Sequence, residues 1–143
     1  MAALELIEHW REQHKDEPLG NFFARLETEI RADRGTLCEV MHSLAIDEST
    51  VRQTGAWAAE KVARARMKIA GEEPGLVLAL EGLIMGITGK KMMWRSLAAA
   101  NLPNASKWDF EELQRRAERQ IEQVEVKRKG AARRAFAGTS HEN

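Results

Sequence analysis

Cysteine is nearly absent. The single thiol, Cys38, can form neither an internal disulfide nor a cysteine-based zinc site, and it suits a reducing compartment. Tyrosine is missing, and 3 prolines and 10 scattered glycines are all that punctuate 143 residues. No sign of charge prevails. Lys+Arg and Asp+Glu each number 22, so overall charge points to neither nucleic acid nor membrane. The longest apolar stretch, residues 75–80, is far too short to span a bilayer. Residues 1–17 carry acids and no apolar run, so no signal peptide is expected. What is present is 43 % hydrophobic and 31 % charged, a balance that supports a packed core and excludes global disorder. The length is that of one domain, with residues 1–143 forming a single helical body. These properties predict a soluble, cytoplasmic, α-rich chain.

The apolar residues recur at helical spacing. Leu4, Ile7, Trp10 and His14 predict a short helix over residues 3–15, ended at Asp16-Glu17-Pro18. Such a helix is too short to stand alone, so residues 1–16 should dock through Ile7 and Trp10. Residues 17–44 carry Leu19, Phe22, Phe23, Leu26, Ile30, Leu37, Val40, Met41 and Leu44, with Asp33 on the same stripe. Residues 50–70 form an alanine-rich segment, with Ser49 as its N-cap. Residues 75–100 are apolar nearly all round, which predicts a central helix. Gly82 and Gly86 within it make a small-xxx-small step that predicts close helix contact. Residues 107–136 show one narrow stripe: Phe110, Leu113, Ala117, Ile121, Val124 and Ala131. Ser106-Lys107-Trp108-Asp109 ahead of it resembles a capping box. Residues 137–143 should fray. Four long helices over residues 17–136, joined by short loops, predict an all-α antiparallel four-helix bundle with a short extra N-terminal helix.

Charge is divided along the chain. Residues 1–48 hold 11 acids and 5 bases, a net −6, and residues 49–143 hold 11 acids and 17 bases, a net +6. Complementarity between early and late helices accounts for the division. The cluster Lys127, Arg128, Lys129, Arg133 and Arg134 could touch phosphates. Its place near a helix C-terminus already explains it, and no recognition motif accompanies it, so nucleic acid is not the expected partner.

No catalytic constellation stands out. Cys38 and His42 share a helical side, but neither oxyanion donors nor a helix N-terminus is present to activate the thiol. No glycine spacing fits a phosphate loop. The sharper chemistry is metal binding. Glu39-Val40-Met41-His42 is one Glu-x-x-His match, and Glu29, Asp33, Glu60 and Glu81 are inward-facing acids that could form a carboxylate site for iron or manganese. The competing reading is structural. Reflection of Glu81 across the turn near residue 73 meets Arg64 and Arg66, and Lys90, Lys91 and Arg95 reflect towards Glu111, Glu112 and Glu118. A ladder of interhelical ion pairs would then need no ligand and no cofactor.

The stretch Ala56-Trp57-Ala58-Ala59-Glu60-Lys61-Val62, the stretch Leu80-Glu81-Gly82-Leu83-Ile84-Met85-Gly86-Ile87-Thr88-Gly89-Lys90, and Trp94-Arg95 together resemble a family of bacterial helical proteins described as hypothetical or ferritin-like. The resemblance spans residues 17–136 and implies a ferritin-like shape in a bacterial cytoplasm, with no established activity. The second Glu-x-x-His is missing, so any carboxylate site is incomplete. Two functions follow. One is a non-catalytic protein-association or scaffold module, self-associating or binding another protein through Met85, Met92 and Met93 with Trp10, Trp57 and Trp108 as anchors. The other is a ferritin-like metal-binding protein built on Glu29, Asp33, Glu60 and Glu81.

Overall fold

A computed structural model describes residues 2–47 and 72–137. The described residues are helices and short connections, with no strand among them, and the fold class is all-α. The alanine-rich segment of residues 50–70, with Trp57, Glu60, Arg64 and Arg66, lies outside the described residues, as do residues 138–143. The chain divides into two units, Met1–Arg64 and Ala65–Asn143.

In the first unit, α1 (Ala2–Gln13) packs antiparallel on α2 (Pro18–Ser43). Ile7 is 0 % exposed and Trp10 5 %, so the short helix docks through the expected residues, joined by Leu4 and Leu6. Asp16 takes a left-handed φ of 66°, which reverses the chain, and Pro18 opens α2 where its missing N–H has no intrahelical acceptor to lose. The reversal is tight. A Cβ on Gly20 would fall 2.0 Å from the backbone oxygen of His14, so only glycine fits the crossing. The buried stripe of α2 is Phe22, Phe23, Leu26, Ile30, Val40 and Met41, and Asp33 is buried on it as its spacing predicts. At the far end the Ile46 N–H donates to the Met41 carbonyl (3.0 Å) and the Ala45 N–H to that of His42 (3.2 Å). This is a Schellman closure, with Ala45 at φ 55° where glycine is usual.

In the second unit, α3 (Glu72–Ala99) pairs antiparallel with α4 (Phe110–Ala137). Glu72, Glu73 and Pro74 are already helical, ahead of the expected start at Gly75. The connection carries left-handed Asn101 (φ 49°) and Asn104 (φ 61°) and a 3-10 turn, Ala105–Lys107. Asp109, not Ser106, caps α4. Its Oδ1 accepts the Glu112 N–H at 3.0 Å and its carbonyl accepts that of Leu113. Ser106 is spent in the 3-10 turn instead. The core is one seam. Leu80, Ile87 and Trp94 from α3 meet Phe110, Ala117, Val124 and Ala131 from α4, all under 9 % exposed, and Trp94 stacks on Phe110 with ring centres 6.0 Å apart. The Trp10 and Trp94 indole N–H groups, both buried, have no acceptor among the described residues.

Candidate functional site

The expected carboxylate set is spread over both units. Glu29 is half-buried and Asp33 buried one turn further along α2. Glu60 lies outside the described residues, and Glu81 belongs to α3 in the other unit. Glu39 and His42 are exposed near the end of α2. Among the described residues, no three His, Cys, Asp or Glu side chains gather as a metal site.

Glu81 differs from its expected surroundings. The apolar composition of its helix suggests a carboxylate sunk in hydrocarbon, but its side chain is 46 % exposed. Its neighbour among the described residues is Arg128 of α4, at 4.0 Å. The same hairpin geometry that sets Lys91 against Glu118 (3.2 Å) sets Glu81 against Arg128. Reflection of Glu81 across the later turn, as well as the earlier one, would have found this contact. The expected partners Arg64 and Arg66 lie outside the described residues.

Two of the basic residues late in α4, Arg128 and Arg134, are engaged with acids. Arg128 holds Glu125 through two guanidinium nitrogens, and Arg134 reaches Glu73 at the start of α3 (3.3 Å). Hydrogen bonds from Arg128 hold the Glu125 carboxyl below the usual carboxylate range. Deeper in the hairpin, the Lys90 ammonium donates to the Gln120 amide oxygen (2.6 Å), and Gln120 is 0 % exposed. Gln120 is on the core face of α4 although its polarity hid it from a search for apolar periodicity.

A charge cluster that sequence reasoning missed lies between α1 and α2. Glu27 is 7 % exposed and takes Arg11 from α1 and Arg31 from its own helix at 3.0 Å. Arg31 continues to Glu8, and Arg11 to Glu12 at 3.2 Å. Five charges thus alternate in sign across the helix pair, and each arginine lies between two acids. Beside it, an open cleft of about 210 Å³ at the α1–α2 corner is lined by Arg11, Glu12, Lys15, Asp16 and Asn21 among others. Its charges balance, and no side chain converges on its centre in a pattern that would activate a nucleophile or bind a metal.

The remaining feature is apolar. On α3, Leu78, Gly82, Met85, Gly89, Met92 and Ser96 follow one another at alternating spacings of four and three. This is a heptad stripe, and it runs opposite the core residues Leu80, Ile87 and Trp94. Met85 is 74 % exposed and Met92 52 %. A Cβ on Gly86 or Gly89 would meet nothing within 4 Å, so the close contact expected at Gly86 is not made there. The helix is apolar on two sides, one buried against α4 and one exposed from Met85 to Ser96, with Leu78 and Gly82 half-buried at its start. No helix among the described residues is long and apolar enough to cross a membrane. No family model, curated protein or solved structure matches the chain.

Proposed function

We propose that the chain is a non-catalytic association module whose working surface is the open face of α3. The observation that carries this reading is the exposure of Met85 and Met92 on a helix whose other face is already filled by α4. Unbranched thioethers adapt to irregular partner surfaces, and exposed apolar side chains in a continuous stripe favour contact with another helix. The charged clusters support the same reading from the other direction. Glu27, Glu112, Glu125 and Glu73 each have arginine partners, which suits a structural role better than a catalytic one.

Methionine oxidation tests the reading. Peroxide converts an accessible thioether to the sulfoxide, which mass spectrometry counts residue by residue. Met85 and Met92 should oxidise more slowly in the cells that make the protein than in dilute purified protein, with buried Met41 as the internal standard. Equal rates in the two settings would show that nothing covers the face.

A further inference from the structure

We propose that the open face of α3 pairs with the same face of a second copy of this chain, antiparallel, about a two-fold axis beside Ile87. The inference rests on the association reading above and names its partner. Its basis is the order of side chains along the stripe. One set of heptad positions holds Leu78, Met85 and Met92, and the alternate set holds Gly82, Gly89 and Ser96. Large and small groups therefore alternate. When the face meets itself antiparallel, each large group stands opposite a small one. Leu78 faces Ser96 of the second copy, Gly82 faces its Met92, and Met85 faces its Gly89. The two-fold axis repeats all three layers in reverse. The small positions let the two backbones approach, and the methionines fill the space left by the glycines.

A parallel pair has no such fit. It would stack Gly82 on Gly82 and Gly89 on Gly89, leaving voids that a close-packed contact does not tolerate. The flanking charges select the same arrangement. Glu81, Thr88 and Arg95 line one edge of the stripe, all three exposed. In an antiparallel pair that edge meets itself in reverse, so Glu81 faces Arg95 of the second copy at both ends. In a parallel pair it would meet the other edge, Ala79, Gly86 and Met93, which carries no charge. Glu81 is available for this contact: Arg128 reaches it only at 4.0 Å and is held by Glu125.

Sedimentation of the full-length chain over a range of concentrations tests the proposal, with circular dichroism to confirm that each variant keeps its helices. The natural chain should show a reversible monomer–dimer equilibrium. Gly89→Leu fills the hole on an open face where a Cβ meets nothing, and Met85→Glu charges the knob. Each should weaken the dimer by at least about tenfold. Glu81→Arg alone should weaken it, and adding Arg95→Glu should restore it, since the charges exchange ends. A dimer indifferent to Gly89→Leu and to the charge exchange would overturn the proposal. So would a chain that stays monomeric at every concentration. If that monomer's Met85 and Met92 are still protected in cells, self-pairing fails while the association reading stands. If protection is absent too, both fail.

Discussion

Two glutamates separate what burial does from what composition suggests. Glu27 lies in an unremarkable polar stretch of sequence, yet it is buried, and Arg11 and Arg31 hold it. Glu81 lies in the most apolar helix, yet it is half in water. Removing the charge from Glu27 leaves two guanidinium groups short of a partner. Glu27→Gln should therefore lower unfolding free energy by about 1.5–3 kcal/mol, the range for hydrogen bonds to charged groups. Glu81→Gln should change it by no more than about 0.5 kcal/mol, as exposed pairs do. Urea denaturation of both variants checks the contrast, and equal losses would contradict it. Gly20 is the other position where a single atom decides. A methyl group there meets backbone, not a yielding side chain. Gly20→Ala should cost about 1–3 kcal/mol in the same measurement, despite alanine's better helix propensity.

At the level of elements, the helix ends show local chemistry overriding pattern. Asp109 closes the first turn of α4 through its carboxylate. Asp109→Ala should cost about 1 kcal/mol by thermal unfolding, and Asp109→Asn much less, because the amide oxygen can still accept the Glu112 N–H. Ser106→Ala should be neutral. The helices themselves were legible in the sequence, because the buried stripes of α1, α2 and α4 recur with the turn of a helix. The antiparallel pairing was legible too: reflection across the loop near residue 104 correctly sets Lys91 against Glu118. What periodicity could not show was which side of an all-apolar helix faces in. Every face of α3 reads alike, so the core seam of Leu80, Ile87 and Trp94 and the open stripe of Met85 and Met92 are distinguishable only once α4 is in place. Gln120 and Glu27 escaped for the opposite reason. Polar groups can be buried when a long cationic side chain reaches them, and that partner comes from a different part of the chain.

For the whole molecule, the alternation of acids and bases ties stability to pH. Hydrogen bonds from Arg119 and then Arg115 hold the Glu112 carboxyl below its ordinary value of 4.5, and Arg128 does the same to Glu125. A carboxyl with a depressed folded pKa stabilises the fold fully above its unfolded value and loses that contribution as pH falls through the folded one. The thermal midpoint should accordingly be flat in this respect from pH 7 down to about 5, then fall as these pairs are protonated. Glu112→Gln with Glu125→Gln should flatten part of the acid limb. A midpoint that rose on acidification below the carboxylate range would contradict the assignment.

The absence of tyrosine acquires a use once the tryptophans are placed. Trp10 is buried in the first unit and Trp94 in the second, each with an indole N–H that no described residue accepts. An indole in such dry surroundings emits further to the blue than one in water. With Trp57 and Trp108 changed to phenylalanine, the chain would carry one such lamp in each hairpin and no other near-ultraviolet emitter of consequence. The reddening of each lamp on denaturation would then time the opening of its own hairpin.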